Sequence, residues 1–226
     1  MMFELPQFSA AILGGGRFPV RRIYCVGRNY RAHAIEMGAD PDREQPFFFL
    51  KPADALVASG GVMRYPPMTA DLQHEIELVV AIGGGGRDVP VGRALELVFG
   101  YAVGLDMTRR DLQMAARKAG RPWDMGKGFD QSAPCGLITP ADRAGDLSKG
   151  AISVAVNGEV RQQSDLSLLI WSVPEIIADL SRYGELRPGD LIYTGTPEGV
   201  GSVRPGDRLL GRIDGLSDLA ISIGPD

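Results

Sequence analysis

The chain has 226 residues, a formal net charge of −4 and 44% hydrophobic residues, which is an ordinary composition for a globular protein. Its 24 lysines and arginines are scattered along the sequence, so we expect neither nucleic acid nor an anionic membrane as a partner. Cys25 and Cys135 have no metal-binding spacing, and the sequence shows no signal pattern and no 18-residue apolar run, so a cytoplasmic protein is predicted.

Glycine and proline punctuate the whole chain: 30 glycines and 16 prolines separate short runs of valine, isoleucine and leucine. This pattern is typical of a β-rich fold with many turns rather than of a helical bundle. We see no internal repeat and no linker. The sequence therefore predicts a single domain over residues 21–226, preceded by a loosely held leader over residues 1–20 that contains three consecutive glycines.

Short strands make up most of the predicted elements. In chain order they span residues 22–26, 46–52, 75–82, 98–107, 152–156, 159–163, 191–194, 208–213 and 219–223. Helices are predicted over residues 30–37, 108–118 and 173–181. Asn157 and Gly158 form the signature of a type I′ hairpin turn, and Thr108 to Asp111 resembles a capping box with Asp in place of Glu.

Two glutamates lie at the start of the predicted strand 75–82. Side chains in a strand alternate between its faces, so Glu75 and Glu77 point the same way while His74 points the other way. The apolar run that follows takes the strand into a core, where two adjacent carboxylates repel each other unless a cation lies between them. A hard divalent ion, Mg²⁺ or Mn²⁺, would be that cation. For an isolated pair, two solvated glutamates at an exposed strand start are the alternative.

Asp106 lies at the end of the predicted strand 98–107, just ahead of a predicted helix. A carboxylate at such a junction can reach into a cleft held by rigid elements. With Glu75 and Glu77 it would complete an acidic triad with enough oxygens for an octahedral ion that keeps waters or substrate. The alternative is that Asp106 stabilises the N-terminus of the helix that follows.

His33 and Glu36 are three residues apart in the predicted helix 30–37, so they share one face of it. A carboxylate that orients an imidazole favours its action as a base near neutral pH. For this pair alone, a weak contact on an exposed helix is the simpler interpretation. The other histidine, His74, is predicted to be structural.

Lys127 lies between Gly126 and Gly128, and glycines on both sides allow the backbone to approach a ligand closely. The segment is not a phosphate-binding loop, because Phe129 and Asp130 follow where that motif needs Ser or Thr. An ordinary loop lysine is the alternative interpretation.

Six motifs follow one another along the chain. They are Val26-Gly27-Arg28-Asn29-Tyr30-x-x-His33-x-x-Glu36, Phe49-x-Lys51-Pro52, His74-Glu75-x-Glu77, Gly104-x-Asp106-Met107-Thr108-x-Arg110-Asp111-x-Gln113, Lys127-x-Phe129-Asp130 and Thr194-Gly195-Thr196-Pro197-x-Gly199-Val200. Together they resemble the fumarylacetoacetate hydrolase family over roughly residues 22–223. The small single-domain members that act on acylpyruvates are the most similar, and the stretches Asp40–Arg43 and Pro122–Met125 resemble those that act on fumarylpyruvate.

The resemblance implies a fold, an assembly and a cofactor. The implied fold is α+β and mainly β, a mixed β-sandwich roll with a few short helices, and it usually forms a homodimer. The implied cofactor is Mg²⁺ or Mn²⁺, with Glu75, Glu77 and Asp106 matching the metal ligands. Larger members of the family have a further aspartate ligand where this chain has Val26, so three carboxylates must suffice.

Roles for the remaining site residues also follow from the resemblance. His33 and Glu36 match a dyad that activates water on a short lid segment, and Lys127 matches a lysine that stabilises negative charge on the reacting oxygen. The substrate-contacting positions are matched by Arg28, Lys51, Arg110, Gln113 and Thr196.

The activity implied is metal-dependent hydrolysis of the carbon–carbon bond of a 2,4-dioxo acid, with fumarylpyruvate giving fumarate and pyruvate in gentisate-type aromatic breakdown. Decarboxylation of oxaloacetate, or isomerisation or decarboxylation of a dienoic diacid, would use the same site without the water. A metal-dependent binding module that has lost turnover is a further alternative. Arg109, Arg117 and Arg121 are candidates to meet a distal carboxylate, but the sequence does not place them.

Overall fold

The computed structural model describes residues 6–38 and 44–225, so the Asp40–Arg43 stretch lies outside the described residues. Within these residues the strands β1 to β18 span, in chain order, Ser9–Ala11, Arg17–Pro19, Arg22–Gly27, Phe47–Lys51, Leu56–Ala58, Val62–Arg64, Leu72–His74, Ile76–Ile82, Val98–Leu105, Thr108–Arg109, Ala133–Cys135, Thr139–Pro140, Ala151–Val156, Glu159–Asp165, Asp190–Tyr193, Gly201–Ser202, Arg208–Ile213 and Leu219–Gly224. The helices α1 to α5 span Arg31–Glu36, Arg110–Lys118, Asp124–Lys127, Ala141–Ala144 and Val173–Tyr183, and 3₁₀ turns lie at Ala53–Ala55, Val91–Leu97 and Leu166–Leu168. No helix in the described part of the chain is long and apolar enough to cross a membrane.

Two sheets packed on each other form the body of the protein. The larger one has eight strands in the order β4-β3-β15-β8-β9-β11-β5, with β12 paired to β9. A five-stranded sheet in the order β14-β13-β17-β18-β6 packs against it through β13 and β17, which contact β8 and β9. Two smaller sheets have the orders β10-β7-β16 and β1-β2. The predicted fold, α+β and mainly β, is confirmed.

Strand β8 is buried on both faces at the centre of the larger sheet. Its even-numbered side chains, from Ile76 to Ile82, join the main hydrophobic cluster, whereas Val79 and Ala81 join a second cluster on the opposite face. Each fully buried aliphatic side chain contributes about 1.5–3 kcal/mol to folding. Glu77 shares the face of Val79 and Ala81, so the packing of the strand forces this carboxylate out of water.

The described part of the predicted leader forms a hairpin of β1 and β2 that is attached to the second hydrophobic cluster. Ala10 and Phe18 are buried, and the Phe18 ring centroid lies 5.3 Å from that of Phe99. The amide of Ile138 donates to the Ala11 carbonyl at 2.8 Å. These contacts contradict the expectation of a loosely held segment. The apolar residues of the two strands are too few to predict a strand from the sequence, but they pack on the second hydrophobic cluster.

The predicted capping box over Thr108 to Asp111 is wrong. Helix α2 begins at Arg110, and no side chain caps it. Thr108 instead belongs to a short strand that pairs with Gln73, and its hydroxyl donates to the Asp106 carbonyl at 3.1 Å rather than capping the helix. The Asp111 carboxylate accepts the hydroxyl hydrogen of Thr69 at 2.6 Å rather than reaching back to the helix start.

Two further sequence predictions can be compared with the backbone. The strand predicted over 75–82 begins one residue later, at Ile76, because Glu75 lies between β7 and β8 and belongs to neither strand. The type I′ turn is confirmed: Asn157 and Gly158 have φ angles of 53° and 86°, as that turn requires.

Candidate active site

Three carboxylates from separate elements converge inside the protein. Glu75 lies between β7 and β8, Glu77 is the second residue of β8, and Asp106 follows β9. Glu77 is paired with Gly104 of β9, and the Asp106 amide donates to the Glu75 carbonyl at 2.8 Å. One oxygen of each carboxylate lies within 4.8 Å of the others, and all three residues are buried. The pairing of β8 with β9 thus forms the acidic triad expected from the sequence.

Three cationic side chains surround the triad. Lys127 Nζ donates to Glu75 Oε2 at 2.7 Å and to Asp106 Oδ2 at 2.8 Å, and Arg110 donates to the other oxygen of Glu75. Lys51 Nζ lies 2.8 Å from Asp106 Oδ1. Both lysines are only 2% exposed, so Lys127 is not an ordinary loop lysine. Unpaired buried charges are costly, and here three anions face three cations.

The carboxylates differ in how well their charges are compensated. Burial alone would raise the pKa of Glu75, but the charges of Lys127 and Arg110 hold it below its usual value. The pKa of Glu77 is raised well above its usual value, first by burial and then by the charges of Asp106 and Glu75. Burial would lower the pKa of Lys127, but its two carboxylate neighbours raise it. Glu77 is therefore the carboxylate that most needs a further cation.

The triad fits a hard divalent cation in two respects. Asp106 Oδ1 is buried and accepts no hydrogen bond from the described residues, although the Lys51 ammonium forms an ion pair with it at 2.8 Å. In addition, no lysine or arginine among the described residues forms an ion pair with Glu77. Mg²⁺ or Mn²⁺ would bind Asp106 Oδ1 and neutralise the charge of Glu77. These ions prefer a donor set made only of oxygen atoms, which the triad provides.

His33 and Glu36 form the predicted dyad on helix α1. His33 Nδ1 is 3.0 Å from Glu36 Oε2, and the imidazole is 6% exposed and lines the same pocket as the triad. A neutral ring whose Nδ1–H is directed at a carboxylate has its lone pair on Nε2, which can accept a proton. The other oxygen of Glu36 accepts the amide hydrogen of Gly199 at 3.0 Å. His33 is therefore buried and held by Glu36, although Glu36 and most of helix α1 are exposed.

The loop after β15 is held by contacts that the sequence did not indicate. The Gly195 amide donates to Glu77 at 2.8 Å, and its φ of 100° lies in the region that favours glycine. Gln162 of β14 donates to the Thr196 hydroxyl at 2.9 Å and accepts from His74 Nδ1 at 2.9 Å. Burial lowers the pKa of His74, so the ring is neutral when it donates. His74 has a structural role, and Gln162 positions Thr196.

The remaining predicted substrate contacts lie on two sides of the pocket. Arg110 donates hydrogen bonds to the side chains of Gln73, Gln113 and Glu75, the first from Nε to Oε1 at 2.8 Å. Arg28 has a φ of 57°, and its guanidinium lies 5.5 Å from the centroid of an aromatic ring. Arg110 is thus immobilised, which suits a group that binds one end of a substrate.

One pocket joins these groups. Nine predicted site residues line it: Arg28, His33, Glu75, Glu77, Asp106, Arg110, Gln113, Lys127 and Thr196. Glu36 and Lys51 do not line it, since they lie behind His33 and Asp106. The wall also contains apolar and aromatic side chains for which the sequence indicated no role: Met37, Phe47, Phe49, Met114 and Trp123.

Comparison with known proteins agrees with this geometry. Residues 22–223 match the family described as fumarylacetoacetate (FAA) hydrolase C-terminal. A fumarylpyruvate hydrolase of Ralstonia sp is 50% identical over 191 residues, which cover 84% of this chain and 99% of that protein. The crystal structure of fumarylpyruvate hydrolase from Pseudomonas aeruginosa in complex with Mn²⁺ and pyruvate has a TM-score of 0.97 and 56% identity, covering 100% of this chain and 99% of that one.

A relative with a different named activity is also similar. The mitochondrial oxaloacetate decarboxylase of Dictyostelium discoideum is 41% identical over 197 residues, which cover 87% of this chain and 90% of that protein. Both named activities therefore occur on proteins that align with nearly the whole chain. On the family match over residues 22–223 and on these identities, the chain belongs to the fumarylacetoacetate hydrolase family.

Proposed function

We propose that this protein is a metal-dependent hydrolase that cleaves the carbon–carbon bond of a 2,4-dioxo acid, converting fumarylpyruvate to fumarate and pyruvate. The observation that carries the proposal is a single pocket lined by both the acidic triad and the imidazole of His33. A site that binds a metal and also holds a base can activate water, which a decarboxylase does not need. Two relatives that are at least 50% identical are named fumarylpyruvate hydrolases.

The charge of the site favours a substrate with two carboxylates. The three carboxylates of the triad are balanced by Lys51, Lys127 and Arg110. A divalent ion adds two positive charges to this buried and otherwise balanced group. Fumarylpyruvate brings two negative charges to the pocket, one on its pyruvate half and one at its distal end, and this matters because uncompensated charge is costly where water is excluded.

A divalent ion held by Glu75, Glu77 and Asp106 would act as a Lewis acid toward the 1-carboxylate and 2-oxo oxygens of the substrate. His33 Nε2 takes a proton from water while Glu36 holds the ring, and the water oxygen adds to the C4 carbonyl carbon. The C3–C4 bond then breaks, and its electron pair passes to the pyruvate half as an enolate. The proton taken by His33 returns to C3, and fumarate keeps the oxygen from water.

Lys127 supports this reaction through its charge. Its ammonium group donates to Glu75, Asp106 and the hydroxyl of Thr108, the last at 2.7 Å, so its three hydrogens are engaged. It stabilises negative charge that develops on the pyruvate half and keeps two of the carboxylates oriented. Preorganised electrostatic stabilisation of this kind usually contributes more to catalysis than any other single effect.

The experiment that tests the proposal is a substrate panel. Pure protein is assayed with Mg²⁺ and with Mn²⁺ on fumarylpyruvate, acetylpyruvate and oxaloacetate. We expect the highest kcat/KM on fumarylpyruvate, with fumarate and pyruvate formed in equal amounts, and no turnover after treatment with EDTA. A preference for oxaloacetate with release of CO₂ would overturn the choice of substrate.

Decarboxylation of oxaloacetate is the second candidate, because a relative that is 41% identical carries that name. This reaction needs a metal-stabilised enolate but no water. The same is true of the isomerisation or decarboxylation of a dienoic diacid. The contact between His33 and Glu36 favours hydrolysis over these reactions, because only hydrolysis has a water molecule for the dyad to activate.

The setting of the activity is part of the same proposal. We place it in the cytoplasm, in the breakdown of gentisate-type aromatic acids, in a homodimer whose chains each consist of an N-terminal segment over residues 1–20 and a catalytic domain over residues 21–226. The buried free thiols of Cys25 and Cys135 suit a reducing compartment. Light scattering on the purified protein tests the dimer.

A further inference from the structure

Helix α2 presents a polar face to the pocket. Arg110, Gln113 and Arg117 follow one another at intervals of three and four residues, and all three line the pocket. Arg110 and Gln113 are buried beside the acidic triad, whereas Arg117 is half-exposed. At a rise of about 1.5 Å per residue, Arg117 lies about 10 Å further along the helix than Arg110. One helix thus supplies a cation at the inner end of the pocket and another at the outer end.

Three arginines on or near this helix were candidates to meet a distal group, and the structure distinguishes them. The Arg109 guanidinium lies 4.4 Å from the centroid of the Phe129 ring, and it does not line the pocket. Arg121 lines an adjoining groove, which shares Arg28 and the aromatic wall with the pocket but does not contain the triad. Of the three, Arg117 alone lines the pocket that contains the triad.

The charge of Arg117 has no counter-ion in the described part of the chain. Its Nη1 donates to the carbonyl of Met37 at 2.9 Å, and no Asp or Glu of the described residues forms an ion pair with it. Arg28, the other arginine at the outer end, lies 3.8 Å from Glu44 and stacks on the Phe47 ring. A guanidinium has five N–H donors, so Arg117 retains the donors needed for a bidentate bond to a carboxylate.

The wall of the pocket around these arginines is apolar. It is formed by Met37, Phe47, Phe49, Met114 and Trp123. The pocket therefore offers a metal-binding cluster at its inner end, a hydrocarbon surface and a cation without a counter-ion at its outer end. A ligand complementary to it has a chelating acid at one end, an unsaturated hydrocarbon segment and a second carboxylate.

We propose that Arg117 binds the distal carboxylate of the acyl group and thereby makes the site selective for acylpyruvates whose acyl chain ends in a carboxylate. This inference rests on the proposed function, since it concerns the acyl half of the same substrate. The distal carboxylate supplies the counter-ion that Arg117 lacks among the described residues, and the double bond of the acyl chain lies against the aromatic wall.

The test compares two substrates within each variant. kcat/KM is measured with Mn²⁺ on fumarylpyruvate and on acetylpyruvate, which lacks the distal carboxylate, for the wild type, Arg117→Met and Arg117→Lys. We expect the fumarylpyruvate-to-acetylpyruvate ratio to fall at least about tenfold in Arg117→Met, mainly through a higher KM for fumarylpyruvate. Arg117→Lys should have a ratio between those of Arg117→Met and the wild type, because lysine keeps the positive charge but cannot form the two parallel hydrogen bonds of a guanidinium.

Lys118→Met is the matched control, since it removes an exposed cation of the same helix that lines neither the pocket nor the adjoining groove, and it should keep the wild-type ratio. A ratio within one variant does not depend on the fraction of protein that is folded. An unchanged ratio in Arg117→Met overturns the inference. An equal loss on both substrates also overturns it, because it shows that Arg117 acts by holding helix α1 through the Met37 carbonyl.

The two proposals fail in different ways. If the wild type hydrolyses fumarylpyruvate and Arg117→Met keeps the ratio, the assignment of Arg117 is wrong and the hydrolase stands. If the wild type hydrolyses neither substrate, the proposed function is wrong, and the assignment of Arg117 falls with it.

Discussion

Arg110 and Arg117 lie on the same face of helix α2, yet the fold treats their charges differently. Arg110 is 6% exposed and bonded to Glu75, whereas Arg117 is half-exposed and has no carboxylate partner in the described residues. At the inner end of the pocket every cation already has an anion. At the outer end Arg117 has no anionic partner among the described residues, and we infer that the inner end carries the chemistry and the outer end selects the substrate.

The two ends also differ in what holds them. The triad is held by the central strands β8 and β9, whose buried side chains leave little freedom of movement. The outer end is formed by the short helix α1, the end of α2 and strand β4 at the edge of the larger sheet. Catalytic groups need positions fixed within about half an ångström, and the packed central strands provide this for the triad.

The largest expected effect is at Glu77, the triad member without a cationic partner. Glu77→Gln keeps an acceptor for the Gly195 amide but removes the charge that a metal needs. We expect kcat to fall about 1,000-fold and the rise in Tm caused by Mn²⁺ to disappear. Without metal the Tm should stay or rise, because repulsion from Asp106 and Glu75 is relieved. Undiminished stabilisation by Mn²⁺ in this variant would contradict the metal site.

Lys51 tests whether the inner cations serve folding. Lys51→Met leaves Asp106 beside one cation fewer and should lower the free energy of unfolding by about 3 kcal/mol, because a buried pair loses one partner. Saturating Mn²⁺ should restore part of the loss, since the ion brings new positive charge to Asp106. The exposed Lys118→Met is the control and should stay within about 0.5 kcal/mol of the wild type in urea unfolding.

His33 separates the chemistry from the metal. His33→Gln should lower kcat on fumarylpyruvate about 100-fold while the Mn²⁺-dependent rise in Tm persists, because the imidazole acts on water and not on the ion. Glu36→Gln should cost less, since it only weakens the orientation of the ring. If His33→Gln keeps full turnover while Glu77→Gln loses it, the water-activating role is wrong and the metal role survives.

The smallest effect is expected at Gln162, which acts through Thr196. Gln162→Leu should lower kcat/KM about tenfold, mainly through KM, because the hydroxyl of Thr196 loses the donor that orients it. Gln163→Leu is the matched control: it changes the exposed neighbour on the same strand and should leave both constants near the wild type. Equal losses in both variants would mean that the strand, and not the contact to Thr196, was disturbed.

Much of the fold followed from local patterns. The strands over residues 208–213 and 219–223 and the turn at Asn157 and Gly158 were predicted, because strand periodicity and turn residues act over a few neighbours. The β1-β2 hairpin was missed, since a short strand that depends on packing with Phe99 has no strong pattern of its own. The capping box failed because the pairing of Thr108 with Gln73 overrides the local signal.

Gln162 shows why part of the site could not be predicted. An ideal two-residue hairpin would pair Val154 with Arg161. Val154 points into the core, and residues that oppose each other point to the same face, so Arg161 would then point inward. A β-bulge between Val154 and Ala155 shifts the pairing so that Val154 opposes Gln162. This shift turns Gln162 inward toward His74, and a bulge of this kind leaves no clear mark in the sequence.

The sequence by itself determined that Glu75 and Glu77 share a face and that His33 and Glu36 share another, since both follow from the period of one element. Only the tertiary structure decided that these pairs meet in one pocket, that Lys51 supports Asp106 from behind, and that Arg117 rather than Arg109 or Arg121 lines the outer end. The physical reason is that side-chain direction within an element is a local property. Convergence depends on strand pairing and packing between residues far apart in the chain.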